Sequence, residues 1–257
     1  MEWVKTFYSK QNEWFGIYLG SVNESHHKRA WLIQDFAGLN KRSAILELGA
    51  GGGQTAIALA NLGHLVSMVE LLPESVKNAK NLAAQNNLTE AVKIIQGDFY
   101  EVDFDEKFDV ICYFDSFGIG SDMDQVLLLE RISAWLTSEG IAIIEVGSTW
   151  FWSKINNTEL DLGAAIRRYD FDFIGSRLID SWYLPENPEE KYAQSLRCYT
   201  PADFELLLQN TDLFIEDLMP GGTIDLEIME FVEKAELPDA MTYYVKLKKK
   251  SAQSKKI

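Results

Sequence analysis

The sequence predicts an α/β fold in which a mostly parallel sheet carries helices on both faces. Three observations point to it. Between residues 43 and 147, short apolar runs alternate with helix-patterned segments. The runs are apolar at nearly every position, as strands buried on both faces are. The turn between the first run and the first helix reads GAGGG over residues 49–53, giving up four side chains in five positions.

Residues 1–40 read as helical. Trp3, Phe7, Trp14, Phe15 and Tyr18 mark one segment, and Trp31, Leu32 and Phe36 a second that ends on Gly38. Then follow the strand SAILEL, the helix QTAIALANLG ending at Gly63, the strand LVSMVEL and a helix opened by Pro73 and closed by Asn86-Asn87. AVKIIQGD and FDVICYF are the third and fourth strands, MDQVLLLERISAWLTSEG a helix closed by Gly140, and IAIIEVG the fifth strand. The rhythm breaks near residue 149. DFIGSRLIDSWYL and KYAQSLRCY read as two antiparallel strands joined by a Pro185–Pro188 loop. A late helix follows, with Thr200 as its cap, Pro201 at its first position and Asp203 facing its positive end. DLFIEDL and MTYYVKLK are the last strands. The expected organisation is a single domain over residues 1–257. It has an N-terminal helical lid over 1–40, a substrate-pocket insert over 150–199 and a disordered basic tail over 249–257.

The formal net charge is −15, although six lysines crowd the last twelve residues. A surface of that charge repels phosphate backbones, so no nucleic-acid partner is expected. No apolar run approaches the ~18 residues of a membrane span, and MEWVKTFYSK has no signal-peptide pattern. Cys112 and Cys198 fit no disulfide or metal-ligand framework, and no metal is expected. A cytoplasmic location is the expectation; oligomeric state is not legible.

The glycines make a turn against which a ligand can lie. Gly49 can take backbone angles closed to other residues. Gly51 and Gly53 leave the main chain bare, and the helix from about Gln54 offers free N–H groups and a partial positive charge. A mere turn gains nothing from four glycines that each cost about 1 kcal/mol relative to alanine. The spacing from Gly51, G-x-G-x-x-A, also fits a dinucleotide fingerprint. Three acids narrow the choice. Glu70 ends the second strand, where a carboxylate can bind both hydroxyls of a ribose. Asp98 follows the third strand and can receive an adenine amine, with Phe99 against the ring. Phe114, Asp115 and Ser116 follow the fourth. All lie at the carboxyl ends of consecutive strands, where open α/β sheets bind ligands.

On these residues the chain resembles the class I S-adenosylmethionine-dependent methyltransferases, of the small-molecule type. The family motif E/D-x-G-x-G-x-G stands as Glu47-Leu-Gly49-Ala-Gly51-Gly-Gly53, followed by VEL at Glu70, GDF at Gly97–Phe99 and FDVICYFDSFG. The resemblance covers residues 40–149 and 199–248. It implies a Rossmann-like seven-stranded sheet with an antiparallel last strand and S-adenosylmethionine as cofactor. It also implies that Gly49, Ala50 and Gly51 line the methionine part, Glu70 holds the ribose beside Leu71, and Asp98 and Phe99 bind the base. Phe114 and Asp115 approach the methyl group. From the N-terminal helices Tyr8, Tyr18 or His26 reach in.

Methyl transfer from a sulfonium is an in-line displacement that asks the protein for orientation and exclusion of water. Asp115, His26 and Tyr18 are the candidate catalytic residues, and His64 reads as a solvated turn residue. The insert should form the pocket of a small-molecule acceptor with nitrogen or oxygen as nucleophile. Its aromatics, among them Trp152, Tyr169 and Trp182, fit a cation cage or a buried core. Arg167, Arg168, Arg177 and Arg197 fit an acceptor carboxylate or the neighbouring acids Asp170, Asp172 and Asp180. Two other functions fit the same turn: an NAD-linked oxidoreductase, against which GDF argues, and a non-catalytic module that keeps the cofactor.

Overall fold

The structure, a computed structural model, describes residues 2–16, 18–225 and 230–250. Its main sheet is built from the apolar runs: β1 (Ala44–Leu48), β2 (Leu65–Glu70), β3 (Val92–Gln96), β4 (Phe108–Tyr113) and β5 (Leu136–Gly147) are all parallel neighbours. Two strands from the end of the chain extend it. The insert contributes β6 (Thr158–Asp161), β7 (Ile166–Asp172), β8 (Arg177–Leu184) and β9 (Asn187–Arg197), and the main sheet then gains β10 (Leu213–Pro220). A small hairpin of β11 (Thr223–Asp225) and β12 (Glu230–Val232) leads to β13 (Thr242–Lys249). The order is β10-β13-β5-β4-β1-β2-β3, and β13 runs antiparallel to both its neighbours. The chain steps from β1 outward to β2 on one side and returns to β4 on the other. A crevice therefore opens at the carboxyl ends of β1 and β4, the switch point of the sheet.

Helices cover both faces. α1 (Glu2–Phe15), α2 (Glu24–Ala37), α3 (Gln54–Asn61), α4 (Pro73–Gln85) and α5 (Asp122–Trp135) precede β5, while α6 (Thr149–Lys154) and α7 (Pro201–Leu208) follow it. One core joins Ile33, Ile57 and Leu82 to the β1–β2 face, and the other joins Leu129, Ile132 and Phe204 to the opposite face. Capping follows the sequence: Asn23 closes a capping box with His26 at the start of α2, Thr200 does so with Asp203 at α7, and Gly38 ends α2 in the left-handed conformation.

Four local expectations are corrected. Gly140 does not close a helix; α5 stops at Trp135 and the chain enters β5 at once. Phe108 pairs with Leu136 and Val110 with Ile141, so residues 137–140 bulge, and a Cβ on Gly140 would lie 3.0 Å from the Phe108 carbonyl oxygen. The insert has four antiparallel strands rather than two, in the order β6-β7-β8-β9, and Phe173 and Ile174 form an exposed turn between β7 and β8. His64 is buried; its Nδ1 accepts from Ser43 N–H at 3.3 Å, and burial lowers its pKa. The basic tail begins later than expected, since β13 includes Lys249 and Lys250 Nζ donates to the carbonyls of Leu208 and Thr211 at 3.1 and 2.9 Å. Residues 251–257 of that tail lie outside the described residues.

Candidate active site

The glycine turn does two different jobs. Gly49 and Gly51 have φ of +62° and +54° and face a cavity of about 810 Å³, counting its open mouth. Gly53, also left-handed at +83°, faces the protein: a Cβ there would stand 2.6 Å from Ala79 Cβ on α4. Its bareness serves the packing of α3 against α4 rather than a ligand, which corrects its expected role. The segment after α1 is strapped onto the same turn. Gln54 Nε2 donates to the carbonyls of Tyr18 and Gly20 at 3.2 and 3.0 Å, and Asn78 Nδ2 donates to Gly52 O at 2.9 Å. The Tyr18 ring thereby lies over Gly51, where a Cβ would be 3.2 Å from it.

Glu70 and Asp98 line the same cavity, together with Leu71, Phe99 and Asp115. Glu70 ends β2 with its carboxylate held by backbone alone: Gly51 N–H donates to Oε2 and Leu72 N–H to Oε1, both at 2.8 Å. Burial raises its pKa, and those two N–H groups pull it back. Asp98 Oδ1 accepts from Tyr100 N–H at 2.9 Å, and Phe99 packs edge-on against Tyr113 with ring centroids 5.2 Å apart. Asp115 sits just past β4 with φ +65°.

Other predicted residues fall elsewhere. Phe114 is buried in the core on the α2 side, under the Arg29 guanidinium, because successive residues of an extended segment point to opposite faces. Ala50 is buried in that core too. Glu47 is 5% exposed behind the turn and does not line the cavity. His26 caps α2, its Nδ1 accepting from Asn23 N–H at 3.1 Å, and also stays out of the cavity. Burial and the nearby Arg29 and His27 charges lower its pKa.

Tyr8 takes the place offered to His26. It lines the cavity, and its hydroxyl meets Ser116 Oγ at 3.3 Å and donates to Gln194 Oε1 at 3.0 Å. Burial pushes the pKa of Tyr8, and of Tyr18 beside it, upward. Tyr100 and Ile119 are lining residues that no motif marked. Ile119 comes in because the loop after β4 touches the insert: it bridges to Leu196, and a Cβ on Gly118 would stand 2.2 Å from Arg197 O. The insert's arginines are all engaged: Arg197 pairs with Asp122 on α5 at 3.3 Å, Arg177 Nη2 donates to Gly118 O at 3.2 Å, and the other two pair within the insert. Arg167 Nε and Nη2 each donate to Asp180 at 2.9 Å, and Arg168 Nε donates to Asp170 at 2.7 Å. Trp152, Tyr169 and Trp182 are buried core. Among the described residues no group of His, Cys, Asp and Glu is placed to hold a metal, and no helix is long and apolar enough to cross a membrane.

Residues 45–140 match the family model of a methyltransferase domain. Across 94% of this chain and 96% of the other, the fold matches that of the CcbJ methyltransferase from Streptomyces caelestis, at TM-score 0.73 and 17% identity. An S-adenosylmethionine-dependent methyltransferase from Clostridium acetobutylicum matches over 96% and 99%, at TM-score 0.70 and 17% identity. A ubiquinone biosynthesis O-methyltransferase from Rickettsia akari is 26% identical over 68% of this chain. That match spans 60% of the relative's length. Residues 45–140 thus carry a methyltransferase domain, and the sheet order and glycine turn give the chain the fold of these structures.

Proposed function

We propose that the chain binds S-adenosylmethionine in the cavity at the switch point and transfers its methyl group to the nitrogen or oxygen of a small-molecule acceptor. One observation carries the reading: Glu70, Asp98 and Asp115, from the ends of three strands, line one cavity with Gly49 and Gly51. The residues suit the cofactor. Glu70 keeps acceptor capacity toward a ribose while its position is fixed by backbone, and Asp98 with Phe99 suits an adenine. When bound, the cofactor supplies a methyl group on a sulfonium, already activated.

The chain's own residues then bind, orient and exclude water. Tyr18 and Tyr8 close the cavity from the N-terminal segment, which fits the expected lid over residues 1–40. The insert, expected as the acceptor pocket, contributes no residue to the lining of this cavity and backs its wall through Gln194 and the Ile119 bridge. Burial raises the pKa of Tyr8 and of Tyr18, and Tyr8 is oriented by its hydrogen bonds to Ser116 and Gln194. Asp115, on the same wall as Glu70 and Asp98, faces the methyl end of the cofactor and the acceptor beyond it.

The reading is tested by thermal unfolding with S-adenosylhomocysteine and with NAD, followed by transfer of label from methyl-labelled cofactor to amines, phenols and acids. Stabilisation by S-adenosylhomocysteine alone is expected. Stabilisation by NAD instead would move the chain to the oxidoreductases, and binding without transfer to any acceptor would leave a non-catalytic module.

A further inference from the structure

At the end of β4, Asp115 on the cavity wall belongs to a group of charges whose other members stay outside the cavity. Arg29, in the middle of α2, reaches over to this point. Its Nη1 is 3.2 Å from Asp115 Oδ2, and its guanidinium carbon is 5.1 Å from the centre of the Phe114 ring. The Asp115 N–H donates to Glu145 Oε2 on β5 at 3.1 Å, and Thr242 on β13 donates to Glu145 Oε1 at 3.0 Å. Glu47, on β1, is buried and its Oε2 has no hydrogen-bond partner. Arg29 is the cation whose charge acts on Asp115, Glu145 and Glu47 alike.

Asp115 differs from the two glutamates. Its side chain is 52% exposed, it lines the cavity, and its backbone is held at φ +65°, a region that L-residues avoid. Glu145 and Glu47 are locked in the sheet. Without the guanidinium, Asp115 is the carboxylate free to turn away from the cavity wall, because its side chain is half-exposed and loses the cation that faces it. Burial pushes Glu47 up to about 8 and Glu145 up to about 7, and in both cases the Arg29 charge works against the rise.

We propose that Arg29 is a positioning residue for the cofactor site: from α2 it pins Asp115 to the cavity wall, so that cofactor affinity depends on a guanidinium outside the cavity. This rests on the methyltransferase reading above.

The test is calorimetric titration of the full chain with S-adenosylhomocysteine. The proteins compared are the wild type, Arg29→Gln, Arg29→Lys, Asp115→Asn, and both Arg29 substitutions combined with Asp115→Asn. Arg29→Gln should weaken binding about tenfold, the size of one charge-assisted contact. Arg29→Lys, which keeps the charge without the fork, should lose less. In the Asp115→Asn background either change should alter affinity less than about twofold, because the group being positioned is already uncharged. Binding of Arg29→Gln within twofold of wild type would overturn the proposal. So would an equal loss in both backgrounds. If Arg29→Gln does not fold, Arg29→Lys in the two backgrounds decides by the same comparison. Absence of binding by the wild type would instead remove the methyltransferase reading, and this inference with it.

Discussion

Asp180 in the insert and Glu70 at the end of β2 are both buried carboxylates, but their partners differ in kind. Asp180, fully buried, is closed off by three side-chain donors at 2.9 Å: Arg167 Nε, Arg167 Nη2 and Gln194 Nε2. Glu70 is held by two backbone N–H groups and faces a cavity. A guanidinium cancels the charge it meets, whereas a backbone N–H orients a carboxylate and leaves its charge for something else. The two differ in closure as well as in partner: Asp180 is sealed in by its three donors, while Glu70 keeps a face open to a ligand.

The sharpest way to break this comparison is to remove the fabric carboxylate. Asp180→Ala leaves Arg167 without its counter-ion and the Gln194 amide without an acceptor. The Arg167 side chain is 29% exposed, so water recovers part of the loss. We expect about 2–4 kcal/mol of destabilisation, below the full value for a severed buried pair. Urea denaturation measures it. A loss under about 1 kcal/mol would mean that the pair behaves as a surface ion pair and that its burial is immaterial.

The two regions were also unequally legible. The parallel strands stood out because burial on both faces leaves only apolar residues, and the carboxyl-end acids followed from where those strands stop. The insert obeys another rule. Its strands carry Arg167, Arg168, Asp170 and Asp172 in succession, a polar pattern that only cross-strand pairing such as Arg167–Asp180 makes compatible with a sheet. β6 and β7 were missed for that reason. His64 was misread because solvation depends on Ser43 and on Gln34 from α2, which are distant in sequence. Glu47, Gly53 and Phe114 sit in or beside the right motifs, yet a motif does not say which face of the backbone each presents. Tyr8 carried no motif at all, only a place on an aromatic helix.

Within the glycine turn the same contrast predicts a split. Gly53→Ala forces a Cβ to within 2.6 Å of Ala79 Cβ at φ +83°. It should destabilise the fold by about 2–3 kcal/mol, combining left-handed strain with overpacking. Chemical denaturation checks it, and a loss confined to ligand binding would return Gly53 to the site.

Glu70→Ala should do the reverse. Losing charge-assisted hydrogen bonds to the ribose is expected to weaken S-adenosylhomocysteine binding by about 2 kcal/mol, roughly 30-fold. The unfolding midpoint should move less, because the freed N–H groups of Gly51 and Leu72 border a cavity that water can enter. Unchanged affinity in calorimetry would assign the ribose to another residue.

Glu47 supplies the smallest effect and the one with a sign that pH reveals. It is buried like Glu70 but stands behind the turn, and burial lifts it from the ordinary 4.5 to about 8. A carboxyl raised in the folded state holds its proton where the unfolded chain has already lost it. Between about pH 4.5 and 8 the folded state thus binds more protons, so stability is highest below that window and falls as pH rises through it. Glu47→Gln removes this titration; the amide still accepts the Ala56 N–H bond. The variant should show a flatter pH profile and gain on the order of 1–2 kcal/mol at pH 9, with ligand affinity unchanged. Denaturation at pH 5, 7 and 9 decides it. If Glu47→Gln were instead less stable than wild type at pH 9, Glu47 would be ionised against Arg29. It would then belong with Asp180 as fabric, its charge cancelled by a guanidinium rather than suppressed by burial.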